Sequence, residues 1–218
     1  MNWLHLMDDL VLMDRFRVDY MHYDISDSYF VPEFGLPFYL VKKVIDNTAI
    51  GPDYHLMIEE PKRIFDMIPK QEGARVSIHY EACRNLHREL VTLKRMGFVP
   101  GIVINPATTL DHIEYVIEEV GLVTIMTVNP GFPSQKVIPQ TLKKIERLKE
   151  WRDRVGYQLD IVVDGNVSFD NVPLMVAAGA DILVLGTSGL FVNGQPLEEN
   201  YEQLKCAIDE GLTQRDKG

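Results

Sequence analysis

Cysteine is scarce in this chain: 218 residues hold two, Cys83 and Cys206, far apart and in no CxxC pair. That excludes a disulfide-stapled scaffold and a redox dithiol, and it fits a reducing, cytoplasmic compartment. Long apolar runs are also lacking. No stretch approaches the ~20 residues that span a bilayer, so no membrane partner is expected. The N-terminus offers no basic segment followed by an apolar one, so no signal peptide is expected either. Positive charge is in deficit, with 22 Lys and Arg against 32 Asp and Glu, a net charge of −10. Such a chain is poorly suited to tracking the phosphate backbone of nucleic acid. A small anion held by local backbone amides is still compatible with it. Finally, no GxGxxG follows the first strand candidate, which weakens a dinucleotide-binding reading.

What is present reads as an ordinary soluble globular chain, 46% apolar and 25% charged. The length suits one sizeable core, so a single domain over residues 1–218 is expected. Short apolar runs alternate with amphipathic ones. Strands are expected at Val18–Asp24, Pro52–Met57, Ala74–His79, Val99–Asn105, Leu122–Val128, Gln158–Asp164 and Asp181–Leu185. Helices are expected at Leu36–Ile45, from Pro61 through Phe65, and at Glu81–Met96, Leu110–Val120, Pro139–Arg154, Phe169–Ala178 and Leu197–Leu212. Thr109 and Asp170 are candidate N-caps. Regular strand–helix alternation argues for a parallel sheet with helical crossovers, and this many units point to a (β/α)8 barrel. A doubly wound open sheet is the competing architecture. The first sixteen residues read as a helix, with Trp3, Leu6, Met7, Leu10 and Met13 at three- and four-residue intervals. A barrel should place a strand before that helix, and none stands there.

Four polar residues fall at the ends of apolar strand candidates. His22 and Asp24 lie two apart in DYMHYD and so share a strand face. His55 follows in DYHLMIEEP and Asp164 in DIVVDGN. Burying two imidazoles and two carboxylates is costly unless something binds them. A divalent ion would offset that cost, and this donor set suits zinc, iron, manganese or cobalt. Taken singly, either histidine reads more often as a hydrogen-bonded core residue than as a ligand. Three turns of small residues follow the later strands: Asn129–Gln135, Asp164–Asn166 and Gly186–Gly189. Each alone is turn chemistry, but together they offer backbone N–H groups to an anion.

On these residues the sequence resembles the ribulose-phosphate 3-epimerase family. The matching stretches are HYD at His22–Asp24, FVP at Phe30–Pro32, HLM at His55–Met57 and IHYEA at Ile78–Ala82. INPAT at Ile104–Thr108, MTVNPGF at Met126–Phe132, VDG at Val163–Gly165 and AAGAD at Ala177–Asp181 follow in family order. Two further stretches, LKEWRDRVGYQLDIVVDG and LGTSGLF, look more like the branch acting on D-allulose 6-phosphate than the pentose branch. The resemblance implies a ribulose-phosphate-binding TIM barrel and a metal-dependent enzyme inverting carbon 3 of a ketose phosphate, either ribulose 5-phosphate or allulose 6-phosphate. It implies metal ligands at His22, Asp24, His55 and Asp164, and an acid–base pair at Asp24 and Asp164. It implies substrate-phosphate contacts from Gly131, Phe132, Pro133, Ser134, Gly165, Asn166, Gly186, Thr187 and Ser188. Met57 and Met126 would form an apolar wall beside the reacting carbons, and self-association into a homo-oligomer is expected. His79 is read as structural or as support for a ligand, Glu81 as its partner or as solvent-facing, and Asp27 as a turn cap or a ligand-orienting group.

The chain departs from the family pattern at four places. The opening strand, with a substrate-contacting serine, is not in the sequence. Met-Asp-Gly is replaced by Ser26-Asp27-Ser28, Gly-Gly in the first phosphate turn by Pro133-Ser134, and the last glycine of DGG by Asn166. A seven-stranded, incompletely closed barrel is therefore expected, with its gap beside the His22 strand and weakened activity. A non-catalytic sugar-phosphate-binding paralogue is the alternative. A barrel decarboxylase is a third, and none of the strand candidates presents the catalytic lysine it would need.

Overall fold

The computed structural model describes residues 6–132 and 134–217. Among the described residues seven strands are formed: β1 Tyr20–Ser26, β2 Gly51–Met57, β3 Arg75–His79, β4 Val99–Ile104, β5 Leu122–Met126, β6 Asp160–Asp164 and β7 Ile182–Leu183. They follow one another in sheet order from β1 to β7. The α-helices are α1 Leu6–Arg15, α2 Phe38–Ile45, α3 Leu86–Arg95, α4 Gln140–Val155, α5 Val172–Ala178 and α6 Leu197–Arg215. This is an α/β fold with a parallel sheet, as the alternation of elements predicts. Among the described residues no helix is long and apolar enough to cross a membrane. Cys83 and Cys206 are both free.

The chain divides into two compact units. The first holds the described residues through Val103 together with Asp111–Leu122. Here β1 pairs with β2, β2 with β3 and β3 with β4, all parallel. In β1 the buried residues are Met21, Tyr23 and Ile25, so alternation turns His22 and Asp24 to the opposite face. All of β3 is buried. The helix expected from the N-terminal periodicity is present as α1, which buries Leu10 and Met13; Trp3 lies outside the described residues.

The second unit holds Ile104–Leu110 and the described residues from Val123 on. Its helices carry their apolar stripes at helical spacing: Thr141, Ile145 and Leu148 are buried on α4. On α6 the buried residues are Asn200, Leu204, Ala207 and Gly211. Gly211 is where α6 meets α5, since a Cβ there would lie 2.7 Å from Val176 Cβ and 2.8 Å from the Pro173 carbonyl oxygen. β6 and β7 pair in parallel through Val162–Ile182 and Val163–Leu183.

Several boundaries differ from expectation. β1 runs two residues past Asp24, where Ile25 still pairs with Leu56 and Ser26 with Met57, and the segment after it folds back on the strand. Gly35 N–H donates to Ser26 O and Leu36 N–H to Asp24 O. Asp27 and Phe34 then form an antiparallel bridge. β7 is only two residues long rather than five. The stretches Pro61–Met67 and Leu110–Glu119 wind as 3-10 helices. The second is crowded with β-branched Ile113, Val116 and Ile117, which lowers α-helical propensity. α5 starts at Val172, so its cap position is Asn171 rather than Asp170, and no side chain caps it.

β6 is anchored at its start by Asp181, whose Oδ2 accepts the Ile161 N–H at 2.8 Å and the Arg152 guanidinium. Arg152 also donates to the Leu159 carbonyl. Asp181→Ala would leave the Ile161 N–H without its side-chain acceptor and Arg152 without its main partner. It should lower unfolding stability in urea by about 1–3 kcal/mol. A loss below a few tenths would show that this tie contributes little.

Candidate active site

Two tripeptides, His22-Tyr23-Asp24 and Asp53-Tyr54-His55, read the same in opposite directions. The parallel register of β1 on β2 sets His22 against Asp53, Tyr23 against Tyr54 and Asp24 against His55. Each imidazole therefore lies beside a carboxylate from the neighbouring strand. The two tyrosine rings stack behind them at 5.7 Å.

His22 Nδ1 donates to Asp53 Oδ2 at 2.8 Å. Its other nitrogen, Nε2, is buried, has no hydrogen-bond partner, and lies 3.5 Å from Asp24 Oδ1. On the far side of that carboxylate, His55 Nδ1 lies 3.0 Å from the same Asp24 oxygen. Asp53 is itself steadied by Arg75, whose Nε is 3.8 Å from Asp53 Oδ1 and whose guanidinium sits over the Tyr20 ring at 4.4 Å. Burial opposes ionisation of Asp24, yet the His22 and His55 imidazoles beside it outweigh that and hold the carboxyl far below its ordinary range. Burial likewise opposes charge on His22, and Asp24 and Asp53 overcome it to raise its pKa well above the ordinary value. Asp53 is held low in the same way, burial being outweighed first by His22 and then by Arg75.

These residues fit a divalent cation. A buried imidazole nitrogen without a partner, pointed at a carboxylate and fixed from behind by a second carboxylate, is the arrangement of a metal-ligating histidine. The donor atoms of His22, Asp24 and His55 lie within 4.8 Å of one another, close enough to share one ion. Asp53 is the residue that sequence reasoning missed. The signal for it was the D-Y-H spacing, which repeats H-Y-D in reverse on the next strand.

Asp27 resolves to a structural role. Its Oδ1 accepts the N–H groups of Tyr29 and Phe30, each at 2.9 Å, and its Oδ2 accepts the Glu59 N–H at 2.9 Å. It thus caps the turn after β1 and ties it to the end of β2. Met57 ends β2 and is buried, paired in register with Ser26.

In the second unit, Asp164 ends β6, and its carbonyl accepts the Thr127 N–H at 2.8 Å and the Thr127 hydroxyl at 3.0 Å. Met126, buried, ends β5. Two of the candidate phosphate turns are knitted together. Asn166 Nδ2 donates to the Gln135 carbonyl at 2.7 Å, and the Gln135 side chain donates to the carbonyls of Phe132 and Asn129. Asn171 Nδ2 in turn donates to Asn166 O at 3.0 Å. Gly131, Ser134, Gly165 and Asn166 all have positive φ. At φ 43° Asn166 occupies a left-handed position that asparagine tolerates better than other side chains do. Phe132 is exposed. The third turn, Gly186-Thr187-Ser188, closes on Gly186 O, which accepts from Gly189 and Phe191 N–H. It adjoins the second turn at Gly189, where a Cβ would lie 2.5 Å from Val167 O. Pro133 lies outside the described residues.

The chain matches the ribulose-phosphate 3-epimerase family over residues 1–191. It is 41% identical over 177 residues to the ribulose-phosphate 3-epimerase of Bacillus subtilis (strain 168), covering 81% of this chain and 82% of that one. It is 32% identical over 207 residues to the ribulose-phosphate 3-epimerase of Aquifex aeolicus (strain VF5), covering 95% and 92%. Among solved structures, an aldolase from Escherichia coli K12 aligns with TM-score 0.51 at 11% identity, covering 99% of this chain and 86% of that one. A mandelate oxidase aligns with TM-score 0.54 at 14% identity, covering 89% and 68%. These two share the TIM-barrel-like fold, and at such identity the likeness speaks to the fold alone.

The Asp27 contacts generate a pH-dependent prediction. Burial raises its carboxyl pKa, but hydrogen bonds from Phe30, Tyr29 and Glu59 N–H outweigh it and bring the folded value below the ordinary one. A depressed folded pKa adds stability that is present above the unfolded value of about 3.9 and is lost as pH falls through the folded value. Asp27→Asn keeps an acceptor oxygen but loses the charge. It should cost about 1 kcal/mol at pH 7, modest because the side chain is partly solvated, and progressively less as pH falls below the unfolded value, compared at about pH 2. Urea melts of both proteins at the two pH values check this; an equal cost at both would contradict the charge-based account.

Proposed function

The chain belongs to the ribulose-phosphate 3-epimerase family, and from that premise we propose that it inverts carbon 3 of a ketose phosphate through an enediolate. The substrate is ribulose 5-phosphate or allulose 6-phosphate. The observation that carries the reading is the convergence of His22 Nε2, Asp24 and His55 Nδ1. We assign Asp164 as the fourth member of this set, a group that could hold a metal ion. The ion would be zinc, iron, manganese or cobalt. When bound it supplies a Lewis acid for the ketone oxygen and positive charge beside the two carboxylates.

The chain's own residues do the rest. The His22 and His55 imidazoles hold Asp24 toward its ionised form, the state a base needs. One aspartate removes the carbon-3 proton, and the other returns a proton to the opposite face of the enediolate. Asp24 and Asp164 take these two positions, and in the reverse reaction they exchange roles. Met57 and Met126 line the reacting carbons with polarisable apolar surface that keeps water from the enediolate. Gly131, Phe132, Pro133, Ser134, Gly165, Asn166, Gly186, Thr187 and Ser188 grip the substrate phosphate. Support for that grip comes from the positive-φ backbone at Gly131, Ser134, Gly165 and Asn166, which lets consecutive N–H groups converge on an anion. We also propose that residues 1–218 form a single ribulose-phosphate-binding barrel domain of the (β/α)8 type, with seven strands among the described residues, and that it self-associates into a homo-oligomer.

Asp164→Asn replaces a carboxylate by an amide at nearly constant volume. It should reduce deuterium incorporation from solvent into carbon 3 of ribulose 5-phosphate or allulose 6-phosphate by about 10²- to 10⁴-fold while leaving the melting temperature within a few degrees. Exchange at the wild-type rate would remove Asp164 from the acid–base pair. Wild-type protein that exchanges neither substrate would favour the non-catalytic alternative.

A further inference from the structure

His79 and Glu81 stand behind the ligand set without belonging to it. His79 ends β3 and is fully buried, and the Phe30 ring lies across it at 4.6 Å. Its Nε2 is 2.8 Å from Nε2 of His55, and the two rings stack at 5.0 Å with 25° between their planes. On the other side, His79 Nδ1 is 3.4 Å from Glu81 Oε2, and that side chain is 23% exposed. A line of four groups thus runs from Glu81 through His79 and His55 to Asp24 Oδ1.

Hydrogen-bond logic orders the protons along that line. Two ring nitrogens at 2.8 Å need one proton between them, because two lone pairs repel and two N–H groups collide. Either ring could supply it. Two carboxylates compete for the choice: Asp24, 3.0 Å from His55 Nδ1, favours N–H on that atom while no cation is bound, and Glu81 favours N–H on the Nδ1 side of His79 once a cation takes the His55 Nδ1 lone pair. A neutral His79 protonated there has a bare Nε2, which accepts from His55 Nε2–H. His55 is then bare at Nδ1, the atom 3.0 Å from Asp24 Oδ1. A lone pair facing a carboxylate oxygen at that distance is unfavourable until a cation joins them.

We propose that His79, oriented by Glu81, is a positioning residue that presents His55 to the metal through Nδ1 by holding the proton of that ring on Nε2. This rests on the metal-dependent reading above. The role has a chemical requirement, a buried acceptor at the far nitrogen of His55, and an amide oxygen meets it where an alkyl group does not. His79→Leu removes the acceptor, and His79→Gln keeps one.

Two measurements on the whole protein test this. Co(II) affinity by equilibrium dialysis should fall about 10- to 100-fold in His79→Leu, recover most of that loss in His79→Gln, and fall by less in Glu81→Gln. Thermal melts of the metal-free proteins confirm that each variant folds. In the zinc-loaded wild type, ¹⁵N spectra of the histidine rings should show His55 protonated at Nε2, with scalar coupling across the N–H···N bond to His79. Equal Co(II) affinity in wild type and folded His79→Leu would overturn the proposal. So would a proton on His55 Nδ1 in the zinc-loaded protein. A wild type that binds no Co(II) would instead overturn the metal-dependent reading itself, and this inference with it.

Discussion

The register of β1 on β2 is the constraint on which the site depends. It sets His22 beside Asp53 and Asp24 beside His55, so one strand pairing supplies two imidazoles, one carboxylate between them and one carboxylate anchoring His22. A slip of one residue would send the side chains of the slipped strand to its other face and bring Tyr23 or Tyr54 into the site. The burial of Met21, Tyr23 and Ile25 on the opposite face resists that slip, because it would expose the core. The packing that stabilises the strand pair is therefore also what assembles the chemistry. Asp27 extends the same logic past the strand ends, where two hydrogen bonds close the turn on its own carboxylate and a third ties it to the Glu59 N–H.

The second unit solves a different problem, holding irregular backbone in one shape. Its turns are joined by side-chain amides rather than by strand ladders. Asn166 reaches Gln135, Gln135 reaches Phe132 and Asn129, and Asn171 reaches back to Asn166. The replacement of the family's glycine by Asn166 becomes intelligible here. Asparagine can hold the left-handed backbone that glycine would hold, and its side chain adds a tie that glycine cannot make.

Much of this was legible in the sequence because it depends on period and spacing. Alternation of strands and helices gave the parallel α/β fold, and the i, i+2 spacing of His22 and Asp24 placed them on one face. Asp53 escaped notice because its role lies in a cross-strand partner, which a single segment does not reveal; the reversed tripeptides carried that information only once a register was assumed. The short β7 and the two 3-10 helices were illegible for a related reason. Their apolar positions fit the expected periods, and the backbone that joins them is decided by packing and by β-branched crowding. The function of Asp27 stayed open in the sequence because capping and ligand orientation call for the same residue type.

The central claim is that one cation site draws on His22, Asp24 and His55, with Asp164 completing it. Anomalous diffraction from crystals of the zinc-loaded protein tests it directly. The account predicts one strong zinc peak about 2.0–2.2 Å from His22 Nε2, His55 Nδ1 and oxygens of Asp24 and Asp164. Zinc-saturated protein whose peaks lie elsewhere, with His22 Nε2 still unligated, would contradict it.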